Sequence, residues 1–112
     1  MAVYANLSLD QGTDFSSIIS LEGATGDSYD LIGYTIRAQM RKTYTSSRSY
    51  DFVSDITNPV TGLCRIKMGS EITSILKPGR YVYDVEVVSS DGIVFRVIEG
   101  QVDVTPRVTR SS

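Results

Sequence analysis

The residues whose types and spacing invite chemistry are a scatter of aspartates, one thiol and a pair of glycines. The aspartates are Asp14, Asp27, Asp30, Asp51, Asp55, Asp84 and Asp91. Asp27 and Asp30 stand close enough to share a calcium ion, but they lack the dense run of oxygen ligands that a calcium loop requires. The others fall mostly in turns or at strand ends, where an aspartate accepts hydrogen bonds from backbone amides. Gly23 and Gly26 bracket Ala24-Thr25, and a phosphate loop would continue into a Lys-Ser/Thr pair and a helix. Neither follows, so Glu22-Gly23-Ala24-Thr25-Gly26-Asp27-Ser28 is expected to be a hairpin loop. Cys64 shares an apolar side with Ile66 and Met68 in Leu63–Met68, and the chain has no histidine to activate it. The expectation is a buried, inert thiol. No catalytic set emerges: the chain is not expected to be an enzyme or to hold a metal or cofactor.

Composition narrows the classes further. The 112 residues are 41% hydrophobic, which suits one domain with one core. Eleven Lys and Arg against 13 Asp and Glu give a net charge of -2, so a polyanion such as nucleic acid is not the expected partner. A single cysteine forms no internal disulfide, and stability must come from packing and strand pairing. No apolar run approaches the roughly 20 residues that span a bilayer, so no membrane association is expected. The Met1-Ala2-Val3-Tyr4 start lacks the basic and apolar regions of a signal peptide, which predicts synthesis and retention in a cytoplasm.

The longest patterned stretch is a β-hairpin. Gly79–Val88 and Ile93–Val102 are dense in β-branched and aromatic residues, and Ser90-Asp91-Gly92 turns the chain between them. A three-residue loop with Gly92 in the left-handed conformation pairs Ser89 with Ile93. Val87 then faces Phe95, Glu86 faces Arg96 and Val85 faces Val97. A two-residue loop would set Asp84 against Glu99, a like-charge pair. Tyr81, Tyr83, Val85 and Val87 fall on one face, and Arg80, Val82, Asp84, Glu86 and Val88 on the other.

Two strands cannot bury enough surface alone, and the remaining segments supply the sheets that cover them. Phe15, Ser17, Ile19 and Leu21 alternate on one side of a strand. Tyr34, Ile36, Ala38 and Met40 do so on another, with Thr35, Arg37, Gln39 and Arg41 facing water. Tyr50–Ile56 and Leu63–Met68 flank the Asn58–Gly62 turn. Glu71–Leu76 is the one helical candidate, with Ser70 as its cap and Lys77-Pro78-Gly79 as its stop, crossing between two sheets. Pro106 ends or frays the last strand. The expected fold is all-β: an immunoglobulin-like antiparallel β-sandwich of about seven strands with one short helix, a single domain over residues 1–112. An extended N-terminal arm covers about residues 1–10 and a C-terminal tail about residues 104–112.

Candidate interface residues come from the parts that the core does not need. The arm offers Val3, Tyr4 and Leu7, suited to an edge strand of its own domain or to a neighbour's sheet edge. Arg37, Arg41 and Lys42 form a basic cluster that either solvates a strand face or meets an acidic protein surface. In the polar Thr43–Ser49 loop, Tyr44 and Arg48 are residue types enriched at binding hot spots. Arg107 and Arg110 belong to the tail. Tyr44, Tyr50 and Tyr81, read as exposed, open an alternative in which the rings stack on sugars.

The order of these signals resembles a known family. Gln11-Gly12-Thr13-Asp14-Phe15, Asp30 to Lys42, Thr61-Gly62, Leu76, Gly79 to Val85 and Ile98 to Pro106 are similar to a small β-sandwich module of tailed bacteriophages. That module occurs in virion structural proteins of the cyanophage and myovirus type and in N-terminal domains of phage baseplate upper proteins. The resemblance covers nearly the whole chain. It implies a noncatalytic particle component, located in the virion after synthesis in the host cytoplasm. Such a subunit is present in many copies or as a homo-oligomer and binds other virion structural proteins. Baseplate relatives continue into a long fibre-like region, whereas this sequence ends at Ser112. The expected role is therefore an accessory or adaptor subunit of neck, tail or baseplate, with head decoration or receptor binding as the alternatives.

Overall fold

The computed structural model describes residues 3–21 and 30–108. Its strands are β1 (Val3–Tyr4), β2 (Leu7–Asp10), β3 (Phe15–Ser20), β4 (Thr35–Arg41), β5 (Tyr50–Asn58), β6 (Leu63–Met68), β7 (Gly79–Val88) and β8 (Val94–Thr105), with one short helix, α1 (Ser70–Thr73). The strand order is β1-β8-β7-β4-β5-β6-β3, and β2 continues beside β8. The sheet folds over at β5. Phe52 pairs with Ala38 of β4, and the next residue, Val53, pairs with Lys67 of β6. One strand thus serves two layers, as strands do at the corners of β-sandwiches.

Alternation decides what lies between the layers. Met40, Tyr83, Val85, Val87 and Val102 from the first layer and Cys64, Ile66 and Met68 from the second belong to one buried cluster. Phe52 lies in it at the fold-over, with its ring 6.0 Å from Phe15, tilted, and 6.3 Å from Tyr83, edge-on. Such aromatic contacts add to the burial of the rings themselves. The all-β sandwich expected from the alternation is the observed fold.

Several local expectations change. The N-terminal arm pairs with β8 in parallel, with Val3 beside Ile98 and Leu7 beside Val102, so the sheet is not wholly antiparallel. The helix is shorter than Glu71–Leu76, and no side chain of its own caps it. Asp14 Oδ1 instead accepts the Ser70 amide at 2.8 Å, and the Thr73 hydroxyl donates to the Thr13 carbonyl at 2.7 Å. Gln11 Nε2 donates to the Leu76 carbonyl while Gln11 Oε1 accepts the Arg107 amide. The Gln11-Gly12-Thr13-Asp14 turn therefore ties the helix to the start of the C-terminal tail. The final strand runs to Thr105, immediately before Pro106, where the missing amide ends the ladder.

The hairpin register holds at its tip and shifts further down. Ser89 donates its amide to the Ile93 carbonyl, Val87 faces Phe95 and Glu86 faces Arg96. A bulge at Val97 then sets Val85 opposite Ile98, not Val97, and Asp84 opposite Glu99. The like-charge pair that the three-residue loop avoids is thus restored by one extra residue. Arg96 offsets it, with Nε 3.3 Å from Asp84 Oδ2 and Nη1 3.9 Å from Glu99 Oε2.

Candidate protein-interaction surfaces

Three surfaces present candidate interface residues: the outer face of the first layer, the N-terminal arm, and the β3 edge. The outer face is built by the pleat. Arg37, Gln39 and Arg41 of β4 stand beside Glu86, Asp84 and Val82 of β7, which in turn face Arg96, Glu99 and Gln101 of β8. The charges interlock: Arg37 Nε donates to Glu86 Oε1 at 2.8 Å and Arg80 Nε to Asp103 Oδ1 at 3.2 Å. Exposed pairs of this kind contribute between nothing and about 1 kcal/mol each. Their effect is to lay a mixed-sign pattern over the face rather than to hold the sheet together.

Asp84 is the strained member. Burial pushes its carboxyl above the usual range, the neighbouring Glu86 and Glu99 push it further up, and Arg96 and Arg37 pull it back. A carboxyl that binds its proton more tightly when folded costs stability above its folded pKa and is relieved as the pH falls through that value. Asp84→Asn is therefore expected to leave the protein as stable as the parent at neutral pH or more stable, by under about 1 kcal/mol. It also reduces the parent's gain in stability on mild acidification just above the ordinary carboxylate range. Thermal melts of both proteins across that range check the sign.

The Thr43–Ser49 loop stands against the outer face. Arg41 Nη1 donates to the Ser46 carbonyl at 2.6 Å, and the Ser46 hydroxyl accepts the Thr43 amide. This turn leaves Tyr44 70% exposed beside a shallow hollow lined by Gln39, Arg41, Val82, Asp84, Glu86 and Arg96. Lys42 lies on the other side, its ammonium 4.9 Å from the centre of the Tyr81 ring, and Arg48 stacks 5.8 Å from the Tyr50 ring. Arg41 and Tyr44 thus line one hollow, Arg37 lies further along the same face of β4 on Glu86, and Lys42 and Arg48 are directed onto the tyrosines. Tyr81 and Tyr50 are not exposed. Tyr81 is buried, donates its hydroxyl to the Lys77 carbonyl at 2.8 Å and meets Tyr50 edge-on.

The arm is seated by a notch. Ala5 donates its amide to Glu99, and Asn6 Oδ1 accepts the Gln101 amide, so a side chain supplies the bond that the kinked backbone drops. The Ala5 carbonyl lies directly over Gly100, where a methyl group would overlap it, and accepts the Tyr83 hydroxyl at 2.7 Å. Burial pushes that phenol up to about 12. Val3 and Tyr4 are both exposed, and Leu7 packs against the core. Arg107 lies over Gly12. Arg110 lies outside the described residues, as do Asp27 and the Glu22–Ser28 turn.

The other chemistry-bearing groups serve the fold. Cys64 is buried, and desolvation, with a further push from Asp55, raises its thiol to about 11. Asp30 Oδ1 accepts the Ile32 amide at 3.0 Å, an aspartate turn of the expected kind. Asp51 stands at the start of β5, whereas Asp55 and Asp84 depart from the expected placement, because they sit within β5 and β7 rather than at strand ends. Asp55 pairs with Arg65 at 3.3 Å.

Two features escaped sequence reasoning. The Gly100 notch had a signal, since an isolated glycine inside a strand pattern marks a bulge or a close backbone approach. The other is an apolar hairpin tip, where Ile93, Val94 and Phe95 are all exposed. The alternation that was read for a continuous strand hides it.

No protein-family model matches the chain, and no curated protein matches it. Solved structures do align. The Listeria monocytogenes internalin-like protein lmo2027 matches 95% of this chain at 17% identity and a TM-score of 0.48, and the chain spans 28% of that protein. AggA, the major subunit of aggregative adherence fimbriae type I from Escherichia coli, matches 89% of each chain at 10% identity and a TM-score of 0.45. Likeness at this level assigns neither a family nor a function, and what stands is an all-β, immunoglobulin-like sandwich with three exposed surfaces.

Proposed function

We propose that this chain is a noncatalytic structural subunit of a tailed-bacteriophage particle, an accessory or adaptor piece of neck, tail or baseplate that binds other virion proteins. The observation that carries this reading is where the chemistry-bearing side chains go. Cys64, Asp14, Asp30 and Tyr83 are held in the core, a helix cap, a turn and the arm notch. The described surface includes a mixed-sign sheet face, a kinked arm, a strand edge and the apolar hairpin tip. A face on which arginines alternate with carboxylates has no single-sign field to draw in a polyanion, and it suits a protein partner of complementary pattern. The phage setting rests on the sequence resemblance.

Adding the purified chain to particles assembled without it tests the binding. Uptake at a fixed stoichiometry, lost when Arg37 and Glu86 are exchanged for residues of opposite sign together with Tyr44→Ala, is the expected outcome. Recovery of the chain entirely in the unbound fraction of particles with vacant sites refutes it. One observation favours a second reading, a carbohydrate- or receptor-binding module: the exposed Tyr44 ring stands beside a hollow with polar walls. Binding on a glycan array that Tyr44→Ala abolishes would select that alternative.

A further inference from the structure

The edge strand β3 has the features of a symmetric contact between two copies of this chain. It closes the strand order at one end, and it pairs with β6 over six residues without a register shift. The Leu21 amide donates to the Gly62 carbonyl at 2.9 Å in continuation of that register. Hydrogen-bonded positions alternate along an antiparallel ladder. Phe15, Ser17, Ile19 and Leu21 therefore turn their amides and carbonyls toward β6, and Ser16, Ile18 and Ser20 turn theirs outward. Among the described residues nothing meets them.

An open row of amides and carbonyls is a template for another strand unless charge, proline, a bulge or a kink blocks it. Phe15-Ser16-Ser17-Ile18-Ile19-Ser20 has no charged residue and no proline, and Ile18 stands 71% exposed on its outer side. The opposite edge of the sheet is guarded differently, by two short segments with a kink between them.

We infer that β3 pairs antiparallel with β3 of a second copy about a two-fold axis at Ile18. Ser16 then faces Ser20 of the other copy, Ser17 faces Ile19, and Ile18 faces itself. All three outward residues of each copy become hydrogen-bonded, which a two-fold at Ser17 cannot achieve without drawing in Asp14, outside β3. The side-chain rows agree with this register. On the outer face Ile18 lies beside Arg65, and Arg65 lies beside Asp55 with its guanidinium 3.3 Å from that carboxylate. Across the axis the row runs Asp55, Arg65, Ile18, then Ile18, Arg65, Asp55 of the partner. Apolar meets apolar at the centre, and each arginine is neutralised within its own copy. A two-fold pairing of this kind uses up the edge and closes on itself, so it gives dimers rather than filaments. It does not depend on the particle reading above, and either can fail alone.

The test is sedimentation equilibrium on the full chain together with two variants. The wild type is expected at twice the 12.3 kDa chain mass at micromolar concentration, and Ile18→Lys, which puts two ammonium groups on the axis, at a single chain mass with unchanged circular dichroism. Ile18→Cys reports the register directly. Facing residues of a hydrogen-bonded pair have Cα atoms about 5.5 Å apart, within disulfide reach. Ile18→Cys should therefore cross-link on mild oxidation, while Ile19→Cys, which faces Ser17, should not. A wild type that stays monomeric, a dimer that survives Ile18→Lys, or cross-linking through position 19 instead of 18 overturns the inference.

Discussion

Gly100→Ala is expected to destabilise the protein by about 2–3 kcal/mol. For a chain of this size that lowers the melting temperature by about 10 °C or more. The added methyl occupies the place of the Ala5 carbonyl, which is backbone and cannot rotate aside. The arm must lift, and three hydrogen bonds go with it: Ala5 to Glu99, Gln101 to Asn6, and the Tyr83 hydroxyl to Ala5. The Tyr83 phenol then exchanges the Ala5 carbonyl for water, and its ring loses the cover of the arm. Calorimetry on four proteins isolates the cause: the parent, Gly100→Ala, a chain lacking residues 1–6, and the combination. Without the arm the substitution becomes neutral or stabilising, because alanine resists extended pairing less than glycine does. An equal penalty with and without the arm would place the clash elsewhere.

Phe52→Ala is expected to cost about 3–5 kcal/mol, the range for removing a buried aromatic ring. Phe52 is 5% exposed, and its backbone is where β5 passes from one layer to the other. Its ring touches Phe15 of the second layer and Tyr83 of the first, so the cavity opens between the layers, where neither sheet can collapse into it alone. A domain of this size has about 5–15 kcal/mol in all, so the variant stands near its unfolding threshold. Val53→Ala, one residue on and 63% exposed, should cost under about 1 kcal/mol. Urea midpoints at unchanged slope read both values. A small effect at Phe52 would mean that the layers hold together without the fold-over ring.

How much of this was legible in the sequence follows from the range of the forces involved. Strand faces were legible because burial repeats every second residue: Ile36, Ala38 and Met40 point inward as their alternation requires, and so do Cys64, Ile66 and Met68. The hairpin tip was legible because Gly92 with positive φ fixes its loop. The Val97 bulge was not, since one extra residue leaves no mark on composition and only cross-strand partners reveal it. The helix cap was missed for a similar reason, because the cap comes from Asp14, 56 positions away. Of the candidate interface residues, Tyr4 and Tyr44 are exposed, while the Arg48 and Lys42 head groups lie over tyrosine rings that one sequence could not place. Exposure of Tyr50 and Tyr81 was misjudged because a tyrosine in a strand looks alike whether it caps the core or faces water.

The most direct test of the proposal that the chain is a phage structural subunit is quantitative mass spectrometry of gradient-purified particles from the source that encodes it. The proposal predicts the chain at a constant ratio to the major head and tail proteins across successive purification steps. A chain abundant in the lysate but lost from the particles as they are purified would contradict it.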